Sequence, residues 1–276
     1  MNRRGVMQVG RRWVEDMVTY ARNVLRALGP ITSGHGFSTD NALRSGDDPW
    51  CGIARTRAAP PVAPAKHVAL VILPPLLLAS TVPAYRWLGA RLGPKKGYFT
   101  GFLFYWTGWC LLVPLWVLGP QRMRDLFRDV RPRVGRPAGV ELFCLALPPL
   151  VGYSFAFPRQ LRTANCWIVV TSAALALVNA TLEELLWRGA YAAVFPDQVI
   201  WGYLYPVAGF AVWHVAPQTI FPSPYPGGTP SFVGTAALSG LQWGWVAWRT
   251  GSIRWTTVSH VLFDFSGLGA RLYFDR

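Results

Sequence analysis

The sequence predicts an all-α protein, a polytopic bundle of about seven transmembrane helices. Three observations carry that expectation. Of the 276 residues, 52% are hydrophobic and only 14% are charged, whereas average soluble domains carry about 25% charged residues. Apolar runs approaching the ~20 residues needed to cross a bilayer core recur along the chain. The basic residues gather between those runs, most densely before the first of them and in "QRMRDLFRDVRPRVGRP". A net charge of +14 alone would also fit a nucleic-acid binder. This clustering is instead that of cytoplasmic loops in a membrane protein, so no nucleic-acid partner is expected.

Residues 1–66 read as a mobile basic extension outside the membrane domain, which occupies 67–276. In "RRWVEDMVTYARNVLRALGP" Trp13, Met17, Val18, Ala21, Val24, Leu25 and Leu28 recur at helical spacing, and Gly29-Pro30 ends the pattern. Such a basic amphipathic helix can lie on an anionic bilayer surface. From Ile31 to Lys66 the composition shifts to Gly, Ser, Asp, Pro and Ala, the signature of a linker. No signal peptide is expected, because no apolar run follows the first basic residues.

Spans are expected near 68–90, 98–119, 138–157, 166–195, 198–216, 231–248 and 252–270. The first contains Pro74, Pro75 and Pro83. A kink is expected there, tolerable where neighbouring helices satisfy the freed carbonyls. The basic N-terminal segment and the 120–137 loop set the cytoplasmic side, and the uncharged "PQTIFPSPYPGGTP" falls opposite. Arg91, Lys95 and Lys96 oppose this scheme but are outnumbered by the inner loops. Cys51, Cys110, Cys144 and Cys166 show no CxxC spacing, and the last three lie in apolar runs. They read as buried thiols rather than a disulfide or zinc framework.

The chemistry concentrates in "IVVTSAALALVNATLEELLWRGAYAAVF". Glu183, Glu184 and Arg188 interrupt this apolar run, at about 2.5–3.5 kcal/mol each near a helix centre. Together that is roughly 8–10 kcal/mol before any pairing, whereas each neighbouring Leu, Ile or Val returns only about 0.3–0.6. Glu184 and Arg188 are four apart and can pair on one face. Glu183 points about 100° away and has no such partner on its own helix. It must find one elsewhere, bind a proton or face water.

Two later runs supply partners. "GFAVWHVAP" carries His214 one turn after Phe210, and "VSHVLFDFSG" carries His260 and Asp264 on one face. At 1.5 Å per residue the depths of Glu183, His214 and His260 agree to roughly 12 Å, close enough for tilt or a kink at Pro206 to bring them together. Ionisable side chains inside spans are functional candidates by default. The bland readings also stand: His214 as an interhelical hydrogen-bonder, His260 and Asp264 as a helix-stabilising pair, and Glu184 and Arg188 as structural.

These motifs resemble those of the CPBP intramembrane proteases, the family of CAAX-prenyl endopeptidases and bacteriocin-processing or immunity proteins. "EELLWR" matches EExxxR, "FAVWH" matches FxxxH, and "HVLFD" matches HxxxN or HxxxD. "GLQWGWVAWRTGSIRWTTVSH" resembles the small-residue helix and turn that precede the last histidine, so the likeness covers about residues 165–268. It implies an intramembrane endopeptidase. Glu183 would be the general base, aided by His214. His260 and Asp264 would stabilise the oxyanion, and Glu184, Arg188 and Phe210 would support the site. A carboxylate removed from water holds a proton more firmly, which suits a general base. Many members carry Asn at the position of Asp264, and an amide donates a hydrogen bond without needing a proton.

No cofactor is expected. Two histidines with carboxylates leave zinc as an alternative, but no HExxH-type motif is present. The expected partners are the lipid bilayer and a membrane-associated protein or peptide substrate, in the cell membrane. The excess of Arg over Lys and the frequent Ala, Gly, Pro and Trp read as a GC-rich, bacterial coding bias. That favours a peptide precursor or membrane-anchored protein over a prenylated one. Two alternatives remain at this level. One is a proton-linked transporter, for which the repeated halves of many transporters are missing and which liposome flux would reveal. The other is a non-catalytic immunity-type protein that retains the site as scaffold.

Overall fold

The computed structural model describes residues 63–128, 138–224 and 226–274. Among them every regular element is helical and none is a strand, as an all-α membrane bundle requires. The amphipathic helix expected within residues 1–66 lies outside the described residues.

Four helices are long and apolar enough to cross a membrane: α1 (Pro64–Leu92), α2 (Pro94–Asp125), α3 (Ala138–Leu161) and α4 (Cys166–Val194). They coincide with the first four expected spans. The other three expected runs are also helical. They form α5 (200–213), α7 (Gly228–Thr250) and α8 (Arg254–Ser266), with the single-turn α6 (Val215–Gln218) after α5 and α9 (Arg271–Phe274) after α8. These three are not among the helices that meet the length and apolarity of a span.

α1 runs through all three of its prolines. A proline has no N–H, so the carbonyl four residues earlier loses its helical partner. For Pro74 and Pro75 those carbonyls belong to Leu70 and Val71. Tyr191 Oη donates to the Leu70 carbonyl at 2.8 Å, and Tyr205 Oη donates to that of Val71. The proline pair is thus paired onto α4 and α5 by two phenols, which is how a membrane interior accommodates broken helical hydrogen bonding.

Local chemistry also fixes the ends of the elements. The Asn165 side chain caps α4 by accepting from the Ile168 amide at 2.9 Å. Gly251 ends α7 at φ 68°, a conformation that favours glycine. The turn it makes is tied to the end of α2, where the Leu126 carbonyl accepts from Ile253 N at 2.9 Å and Ser252 Oγ at 3.0 Å.

α4 packs against α2, α5, α7 and α8. Its buried side carries Glu183, Glu184 and Arg188, while Trp167, Val170 and Leu177 are exposed. On α1, Val68, Ile72 and Leu76 are likewise exposed at four-residue spacing. Apolar surface outside and charge inside reverse the soluble pattern and fit helices whose outer faces meet lipid. The chain is a multi-pass membrane protein. Cys110 and Cys144 are buried free thiols, whereas Cys166, at the start of α4, is exposed rather than buried.

Candidate active site

The site forms where α4 widens. Immediately after Glu184, residues Leu185–Ala190 make a π-helical turn, and a second one spans Tyr105–Leu111 in α2. Such single π turns within α-helices recur at functional sites. Here they present Trp187, Arg188 and Tyr105 to the bundle interior.

Glu184 and Arg188 pair as their spacing predicts. Arg188 Nη1 lies 3.1 Å from Glu184 Oε1, and both side chains are almost fully buried. The guanidinium also sits 4.0 Å over the Phe210 ring and 5.5 Å from that of Trp243. Gly240 leaves room for it, since a Cβ there would stand 3.4 Å from Arg188 Nη2 and 3.2 Å from Phe210 Cδ1.

His260 Nδ1 contacts the same Glu184 oxygen at 3.0 Å. A carboxylate only accepts, so Nδ1 carries a hydrogen and Nε2 is directed away from Glu184. Nε2 lies 3.6 Å from Glu183 Oε2 and 3.5 Å from Asp264 Oδ1. A bare lone pair between two carboxylates would be repelled by both. A proton therefore belongs on the Glu183–His260–Asp264 side, either on Nε2 or on one of the acids. Trp243 stacks on the imidazole at 4.2 Å, and its indole N–H donates to Ser259 Oγ at 2.8 Å.

Glu183 has a neutral hydrogen-bond partner on its own helix rather than a charged one. Asn179, one turn earlier, donates from Nδ2 to Glu183 Oε2 at 3.3 Å. Tyr105 Oη donates to Glu183 Oε1 at 3.1 Å and itself accepts from Trp187 Nε1 at 2.7 Å. Tyr105, stacked on Trp213 at 3.7 Å, is held on its other side as well.

Glu183, Glu184, Arg188, Phe210, His260 and Asp264 therefore come together. His214 stands apart from Glu183, with no hydrogen bond or ion pair between them among the described residues. Its Nδ1 donates to the Phe210 carbonyl at 2.7 Å, which leaves Nε2 as an acceptor. Phe210 touches both rings, 4.6 Å from His214 and 6.1 Å from His260. Glu183 is 1% exposed but Asp264 is 24% exposed, so the site opens on the Asp264 side.

Sequence reasoning missed Tyr105, Trp106, Asn179, Trp187 and Trp243. Asn179 alone had a readable signal, a polar side chain one turn before Glu183 in an apolar run.

Among the described residues no group of three or more His, Cys, Asp and Glu is arranged to hold a metal ion. Glu184 Oε1 takes both Arg188 and His260, and Asp264 Oδ2 takes Asn179.

Comparison with curated proteins and with solved structures returned no match. Residues 165–266 match the family model Rce1-like, described as type II CAAX prenyl endopeptidase Rce1-like. That stretch, well under half of the chain, holds all the motif residues above, and over it the chain is similar to the Rce1-like family.

Proposed function

We propose that the protein is an intramembrane endopeptidase of the cell membrane that hydrolyses a peptide bond with a water activated by Glu183, without a metal ion. The observation that carries this reading is the setting of Glu183. It is a buried carboxylate held from both oxygens by Tyr105 and Asn179 and faced by His260 Nε2 at 3.6 Å.

In this reading Glu183 removes a proton from water, and the oxygen attacks the scissile carbonyl carbon. The water's second hydrogen points to His214, whose Nε2 is an acceptor. The tetrahedral oxyanion is met by the proton held between His260 and Asp264. Glu183 then passes its proton to the amide nitrogen, the C–N bond breaks, and a carboxylic acid and an amine leave. Glu184 fixes the His260 tautomer, and Arg188 neutralises Glu184 so that it does not compete as a base. Fixed donors and a low-dielectric surround are the conditions under which such groups act most strongly.

The substrate class that fits is a membrane-associated peptide or protein, reaching the site from its open Asp264 side. The test compares the termini of membrane peptides in cells carrying the wild-type chain and Glu183→Gln. Termini that depend on Glu183 support the assignment. Identical termini in both cells remove it.

A further inference from the structure

We propose that Asn179 is a positioning residue for the Glu183–Asp264 pair, locked in one orientation by Trp106. The proposal rests on the endopeptidase reading and extends it to a residue outside the motifs.

Asn179 Nδ2 donates to Asp264 Oδ2 at 2.8 Å and to Glu183 Oε2 at 3.3 Å. One amide nitrogen has two hydrogens, so each acid receives one. The other end of the amide is equally defined. Trp106 Nε1 donates to Asn179 Oδ1 at 2.8 Å. An indole nitrogen donates and never accepts. Turning the amide over would set its NH2 against the indole N–H and its oxygen against two carboxylate oxygens. Three favourable contacts would become three repulsive ones. The tryptophan thus decides which way the asparagine faces.

The geometry has a consequence for the reaction. Glu183 is on α4 and Asp264 on α8, helices that also meet one turn away through the Glu184–His260 contact at 3.0 Å. Two acids that share one amide nitrogen repel if both are charged. The amide between them offsets that repulsion and ties the two helices at the level of the reacting groups. His260 lies one turn before Asp264 on α8, so the same tie holds its Nε2 opposite Glu183. Asn179 touches neither the water nor the peptide in this scheme. It acts through Glu183 and Asp264.

The test uses the full chain in proteoliposomes, with an internally quenched farnesylated CAAX peptide as the probe. Asn179→Ala is expected to lower kcat by about 10–100-fold, the usual loss for a partner that orients a reacting group, with KM within about two-fold. Trp106→Phe keeps the ring but not the donor, and should lower kcat less. The double variant should be no worse than Asn179→Ala, because Trp106 acts only through the amide. Wild-type kcat in Asn179→Ala, or strictly additive losses in the double variant, would overturn the proposal.

A second measurement stands apart from cleavage. The infrared carboxyl bands assigned with Glu183→Gln and Asp264→Asn should shift in both Asn179→Ala and Trp106→Phe. Unchanged bands overturn the proposal even if activity falls. If the wild-type chain leaves this prenylated probe uncut, the bands still decide the role of Asn179, and the endopeptidase reading is decided separately by the Glu183-dependent termini. Trp106→Phe keeps the infrared test available should Asn179→Ala fail to fold.

Discussion

Replacing Arg188 with alanine should cost stability before it costs chemistry. The guanidinium pairs with Glu184 at 3.1 Å and covers the Phe210 ring at 4.0 Å. Both partners of the ion pair are buried, so truncation leaves Glu184 in the bundle interior with His260 Nδ1 as its remaining ionic contact. Breaking a buried pair from one side costs about 3–5 kcal/mol, and a desolvated cation–π contact about 2 kcal/mol. The two overlap because one group makes both, so about 4 kcal/mol is the expected loss. That is a large part of the 5–15 kcal/mol typical of a folded domain. The assay is membrane-fraction yield and thermal unfolding in detergent beside peptide cleavage. Lower yield, a lower Tm and reduced cleavage are expected together. Arg188→Lys should fall between, because it restores the charge but not the planar stack on Phe210. Arg188→Ala with wild-type yield, Tm and cleavage would refute the claim that this pair is buried and supporting.

Two further outcomes follow from the site and the chain's organisation. Asp264→Asn should retain or raise activity, since the amide oxygen can keep accepting from Asn179 while its NH2 faces His260; a 10–100-fold loss would show that the charge is needed, and recovery of that loss with added zinc, abolished by a chelator, would overturn the metal-free mechanism. Deleting residues 1–60 should leave insertion and cleavage intact, because the motif residues and the described helices all begin after that point; loss of the chain from the membrane fraction would show that the basic segment directs topology.

Much of this was legible in local spacing. EELLWR predicted the Glu184–Arg188 pair because i,i+4 neighbours meet on any helix, and the widened turn after Glu184 did not separate them. HVLFD placed His260 and Asp264 on one face for the same reason. The apolar runs located the helices to within a few residues, since burial in lipid leaves little freedom in composition. Contacts between distant segments were not legible. Tyr105 and Trp106 reach the site from α2, more than 70 residues before Glu183 and Asn179 respectively. No periodicity marks them among the chain's other aromatics. The phenols of Tyr191 and Tyr205 that satisfy the Leu70 and Val71 carbonyls were invisible likewise, although Pro74-Pro75 predicted that something must. His214 shows a limit of another kind. Its motif marks it, yet the distance along a helix could not say whether it would touch Glu183, and in the structure it is His260 that faces Glu183, at 3.6 Å.

The most direct test of the central claim is the cleavage rate of Glu183→Ala and Glu183→Gln in proteoliposomes. Glutamine keeps the shape and an oxygen for Tyr105 to donate to, but it cannot take a proton from water. Glu184 and Arg188 remain paired in both variants, so insertion and Tm should stay close to wild type. The account predicts that cleavage falls by about 10²–10⁴-fold in each, the range general-base catalysis contributes. Near-normal cleavage by either folded variant would contradict it.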